Sequence, residues 1–260
     1  MDALRLYLRY ASLSVRAQLA YRATFVTKTL GHLLSTGIEF LGLWALFARF
    51  GAIESWTLAD VALLYGITEI AFAINAAVSR GFDRFHAMLK AGDFDRLLLR
   101  PRSTILQLLG QELHLMRVGR LAQGLAVLGW AGAAVDWSIA RAALLALAIA
   151  TTALVFFALV VFQAASAFWT VEGLEVWNAF TYGGNYASQY PMSIYRRWFR
   201  LFFTAIVPLA CTCYLPARAI LGRDPLGAVH ALAPLSAALF LAAALGAWRA
   251  GVRRHASTGS

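Results

Sequence analysis

The sequence predicts an all-α polytopic membrane protein, six transmembrane helices preceded by an N-terminal interfacial amphipathic helix. Three observations carry that prediction. Of 260 residues, 60% are hydrophobic and only 14% charged, with a mean hydropathy of +0.65; soluble domains run at roughly 45–50% apolar and about 25% charged. Six stretches approach the ~20 apolar residues a membrane crossing needs: Thr29–Phe50, Leu58–Ser79, Leu115–Val135, Ile139–Phe168, Leu201–Ala217 and Ala228–Trp248. Finally, nineteen of the 23 Lys and Arg fall on one side if the spans alternate from a cytoplasmic N-terminus. The positive-inside rule then puts both termini in the cytoplasm.

Taken in order, residues 1–28 form the expected interfacial helix. Arg5, Arg9, Ser12 and Arg16 share one narrow stripe on an otherwise apolar cylinder, a pattern suited to the headgroup plane. These arginines deny the segment an uncharged signal core, so the chain is expected to insert through its own first span. Residues 29–248 form one membrane domain with a cytoplasmic loop over 80–102, and 249–260 form a cytoplasmic tail. The net charge of +10 is expected to meet anionic lipid headgroups rather than nucleic acid. Cys211 and Cys213 stand two apart on a helical run, a poor geometry for a disulfide, and are expected to be small buried hydrophobes. The eight tryptophans fall mostly near span ends, as an aromatic belt would.

Ionisable groups at membrane depth are costly and usually face the bundle interior. Lys28, His32, Ser35 and Glu39 line one face of the first span; Tyr65, Thr68, Asn75 and Ser79 line the second, with Glu69 roughly 80° away at 100° per residue. These stripes, with Gln163 and Ser166 on the fourth span, either line a path or a permease–permease seam or hold the bundle together by interhelical hydrogen bonds. The histidines, including His86, His114 and His230, show no metal-ligand spacing. Glu172 and Glu175 suit a surface helix better than a catalytic pair.

The loop is the most informative segment. Phe82, Phe85 and Leu89 recur at helical spacing among charged residues. Gly92 can end that helix and Asp93 can cap the next. Leu97, Leu98 and Leu99 add an apolar patch before Pro101. Short amphipathic helices there would make a stiff knob that carries force from a soluble partner to the spans on either side, or would simply rest on the lipid surface.

Here a resemblance becomes specific. Gly92-Asp93-Phe94-Asp95-Arg96-Leu97-Leu98-Leu99-Arg100-Pro101 resembles the loop after the second span in ABC-2 type transporter permeases, in the group of small six-span permeases paired with a separate ATPase. Tyr190-Pro191-Met192-Ser193-Ile194-Tyr195, Ile206-Val207-Pro208 and Tyr214-Leu215-Pro216-Ala217 also fit that group. The resemblance implies an exporter permease of the bacterial inner membrane. It also implies a second permease, homologous or identical, and two copies of an ABC ATPase that would hold the ATP and magnesium. On that pattern Phe82, Phe85, Leu89, Gly92, Asp93, Phe94, Asp95, Leu97, Leu98, Arg100 and Pro101 belong to the ATPase-coupling loop, and Tyr214–Asp224 holds the place of short re-entrant helices. His32, Ser35, Glu39, Thr68, Glu69 and Asn75 are candidates for the pathway or seam.

A P-loop needs a glycine-rich turn with Lys and Ser or Thr. The only lysines, Lys28 and Lys90, lack that frame, so no ATPase chemistry is expected in this chain. Two other functions stay open on residues alone: an intramembrane protease or lipid-modifying transferase, for which Glu39 with Glu69 is the one carboxylate pair worth naming, and a membrane anchor for a soluble partner.

Overall fold

The computed structural model describes residues 20–111, 117–170 and 174–255, with a few positions between 12 and 18; the side chains of Leu174 and Glu175 are not described. Most of the expected N-terminal interfacial helix, His114, Glu172 and the last five residues therefore lie outside the described residues.

Helix α1 (Arg22–Phe50) begins seven residues before the expected span and ends at Gly51, whose φ of 76° closes the last turn. Helix α2 (Leu58–Val78) starts with a capping box in which Thr57 and Asp60 each accept a backbone N–H of the other. The knob follows as α3 (Arg80–Asp83), α4 (Phe85–Lys90), α5 (Asp93–Leu98) and α6 (Thr104–Gln111). Helices α7 (Val118–Gly132), α8 (Ile139–Ser166) and α9 (Leu174–Ser188) come next, then α10 (Arg197–Leu201), α11 (Leu215–Ile220) and α12 (Leu232–Arg254).

Among the described residues four helices are long and apolar enough to cross a membrane: α1, α2, α8 and α12, the last counted with the 3₁₀ turn before it. A fifth candidate is broken. The expected span Leu201–Ala217 is instead two pieces, Arg197–Ile206 and Ala210–Ile220, bent by 84°. The cause is Pro208, which has no N–H to give and drives the preceding residue out of the helical region. Val207 accordingly sits at φ −109°, ψ 98°. π-helical turns over Phe202–Ile206 and Ala210–Tyr214 flank the break. The described part of the expected third span is α7, whose 15 residues reach about 22 Å at 1.5 Å per residue.

Helix α2 is the centre of the bundle, buried on nearly every face between α7, α8 and α9. Glycines let the helices close up. A Cβ on Gly119 of α7 would lie 2.4 Å from the Thr29 carbonyl oxygen of α1, and one on Gly66 would lie 2.8 Å from the Leu128 Cβ. Both cysteines are free and buried. Two tryptophans depart from the expected belt: Trp56 and Trp248 are buried. The Arg223 guanidinium covers the Trp56 ring at 4.3 Å.

Candidate functional site

Two sites emerge from the residues singled out in the sequence. The first is a charge cluster around Glu69. This residue lies eleven positions into the 21-residue α2, about 16 Å from its start, and is fully buried. One carboxylate oxygen accepts hydrogen bonds from Asn185 Nδ2 at 3.2 Å and Gln189 Nε2 at 2.9 Å. The other pairs with Arg120 Nε at 2.7 Å. The same guanidinium lies 3.7 Å from Glu39 and 4.8 Å from the Phe72 ring centre. Tyr186 donates its hydroxyl proton to Glu39 at 3.2 Å. A neighbouring pair, Tyr65 and Gln123, bonds to the Thr36 carbonyl of α1 at 3.1 and 3.0 Å.

Arg120 had counted among the loop charges of the positive-inside tally; it is buried inside the bundle instead. That single cation lies between carboxylates of two helices, pairing with Glu69 and reaching Glu39, which also accepts from Tyr186. It also occupies the place where a catalytic carboxylate pair would need its substrate. The α1 stripe is split: Glu39 reaches the cluster, His32 is half-buried, and Lys28 and Ser35 face outward while Thr36 faces in. On α2, Thr68 bonds to the Ser188 carbonyl and to the Cys213 sulfur, both at 3.3 Å, and Asn75 is buried. The Ser166 hydroxyl donates to the Gln163 carbonyl of its own helix at 2.7 Å.

The second site is the knob, and here the expected roles divide. Phe82, Phe85, Phe94 and Leu97 do not face a partner; they are buried beneath the loop. The Phe85 ring centre lies 5.1 Å from Phe94, 5.2 Å from Phe168 and 4.8 Å from Trp248. Aromatic pairs at such distances contribute about 0.5–1.5 kcal/mol each beyond their buried area. Trp248 Nε1 donates to Thr104 at 3.1 Å, and His255 Nε2 lies 2.9 Å from an Asp95 oxygen. Gly251 makes the approach possible, since a Cβ there would lie 2.2 Å from the Phe168 ring. The knob is thus riveted to the ends of α8 and α12 rather than standing only on the helices that flank it in sequence.

The opposite face is open. Leu98 is 42% and Leu99 86% exposed, and Arg84, Lys90, Arg96, Arg100 and Pro101 are exposed around them, with Leu89 half-buried. Gly92, at φ 72°, is the residue before α5, so Asp93 is not the cap but the first residue of that helix, 3.4 Å from Arg96. Gln107 Nε2 closes the loop on the Leu97 and Arg102 carbonyls, both at 3.1 Å. At the junction with α2, burial pushes the Asp83 carboxyl above its usual range, against the pull of Arg80 and Arg117.

A family model described as ABC-2 family transporter protein matches residues 33–259. The chain belongs to that family. No curated protein and no solved structure matches it. Family and fold together make this ABC-2 protein a multi-pass membrane component of a transporter, of a kind that generally works with ABC ATPases. Among the described residues no group of three or more His, Cys, Asp or Glu is placed to hold a metal.

The sequence reading missed Asn185, Gln189 and the inward role of Arg120. A signal existed for the first. Asn178, Thr181, Asn185 and Ser188 are spaced three, four and three apart, the same helical stripe recognised on the second span.

Proposed function

We propose that the chain is the permease subunit of an ATP-driven exporter, with six spans, both termini in the cytoplasm and a place in the bacterial inner membrane. In this reading α7, with the residues before it, is the third span, and the bent pair is the fifth. Residues 29–248 are the transmembrane domain, between the interfacial helix of 1–28 and the tail of 249–260. A second permease, identical or homologous, completes the pathway, and two ATPase subunits supply ATP and magnesium. Closure of the ATPases pushes the 80–102 loop and reorients the helices in alternating access.

The observation that carries this reading is the two-sided knob. Its inner face is an aromatic core packed against α8 and α12, which gives the loop a route to push on those helices. Its outer face exposes Leu98 and Leu99, and Arg84, Lys90, Arg96 and Arg100 are exposed on the same loop, apolar and polar groups of the kind a docking surface combines. Leu98→Asp with Leu99→Asp tests it. The expected result is unchanged thermal stability with loss of ATPase co-purification and of permease-dependent ATP hydrolysis. Full binding and full stimulation by the folded variant would overturn the coupling role.

A further inference from the structure

A second polar surface lies inside the bundle, between α2 and α9 and next to the inner end of the knob. Asn178, Thr181, Asn185 and Ser188 share one face of α9, and α9 packs against α2, whose Asn75 and Ser79 are buried on the facing stretch. Between these helices and α8 is a small cavity of about 20 Å³ whose polar lining includes Asn75, Asp83, Arg117, Gln163, Asn178 and Thr181. Phe72 lines its far end, and the Arg120 guanidinium lies against that same ring. The cavity thus reaches from the knob junction at Asp83 to the Phe72 ring.

The seam holds more polar atoms than it pairs. Asn75 Oδ1 and Thr181 Oγ1, both in residues at least nine-tenths buried, line the cavity without a hydrogen-bond partner among the described residues. Beyond Phe72, Asn185 Oδ1 and Ser188 Oγ are in the same condition. Four such atoms along one helix–helix seam are costly if dry. A polar cavity of at least 10–15 Å³ by this measure admits a water, which needs two to four polar partners. Asn75 and Thr181 supply the partners, and the volume supplies the room.

We propose that the α2–α9 seam is a short internal water path, entered between Asp83 and Arg117, closed at Phe72, and holding a water between Asn75 and Thr181. The ligand it takes is water, held by amide and hydroxyl side chains; the seam is too narrow for a solute in this conformation. Its role is to satisfy the Asn75 and Thr181 side chains, so that α2 and α9 can shift against each other without leaving those polar atoms in a dry interior. Nothing in this inference depends on an ATPase.

Two measurements test it. Thr181→Val is isosteric and removes one water partner. If the seam is wet, the substitution orphans a bound water and lowers the melting temperature by several degrees. If the seam is dry, it relieves an unpaired hydroxyl and the temperature rises or stays put, which overturns the proposal. Single cysteines can be placed at Asn75 and Thr181 in a Cys211→Ala/Cys213→Ala background and probed in nanodiscs with silver ion, a thiol reagent close to water in size. Both are expected to react several-fold faster than a cysteine at the fully buried Ala158. Equal rates at all three positions in folded protein would overturn the path.

Discussion

Replacing Arg120 by Met keeps most of the side-chain stem over Phe72 but removes the only cation within reach of Glu69 among the described ion pairs. Glu69 would retain Asn185 and Gln189 as donors on one oxygen and lose its 2.7 Å partner on the other. Breaking a buried pair from one side costs about 3–5 kcal/mol. For a chain of this size each kcal/mol moves the melting temperature by about 2–4 °C, so Arg120→Met is expected to melt roughly 6–20 °C lower. Glu69→Gln should also destabilise: turning its carbonyl toward Asn185 and Gln189 aims its amide at Arg120, donor against donor. The double variant removes both problems and should be less destabilised than the sum of the two singles, by about 1–3 kcal/mol of coupling. Thermal melts in detergent followed by size exclusion would measure all four proteins. Additive singles, or an Arg120→Met melting within about 2 °C of the parent, would refute the assignment of Arg120 as the neutraliser of Glu69.

Other substitutions separate packing from surface roles. Phe85→Ala empties the centre of the knob core and should cost about 3–5 kcal/mol, read as a melting shift. Gly81→Ala would put a Cβ 2.0 Å from the Leu108 carbonyl oxygen; because backbone must move to admit it, the expected loss is at least the 1–3 kcal/mol typical of overpacking. Arg223→Ala should release the Asp60 carboxylate, 2.7 Å away, and the Ser55 carbonyl at 2.7 Å. At a partly exposed site that costs only about 1 kcal/mol, and it should appear as faster proteolysis near residue 55 before it appears in a melt.

Much of this architecture was legible in the sequence, and the parts that were not have common causes. Hydropathy located α2, α8 and α12 within a few residues because each is a long apolar run. It could not see that Pro208 would bend the Leu201–Ala217 run by 84°, since both halves are apolar. The aromatic spacing in 80–102 correctly announced short amphipathic helices. It did not say which face would meet what, because the partners, Phe168, Trp248 and His255, lie 70 to 170 residues further along. Charge counting treated Arg120 as a loop residue. Only the positions of Glu69 and Glu39 on two other helices make burial of that cation favourable. The polar stripe on α9 was written in its 3-4-3 spacing and was passed over because α9, at 15 residues, is too short to stand out as a span.

The rivet between the knob and the last helix also has a bearing on how the protein is made. Phe94 rests on Trp248 and His255, residues synthesised more than 150 positions later. At about 5–20 residues per second, ribosomes need on the order of ten to thirty seconds to supply them. Through the later part of that interval the phenylalanines of the finished loop have only half of their core, Phe157 and Phe168 being in place and the last helix not. The nascent loop therefore carries partly uncovered aromatic rings during translation, and the arrival of the chain's last helical turns covers them.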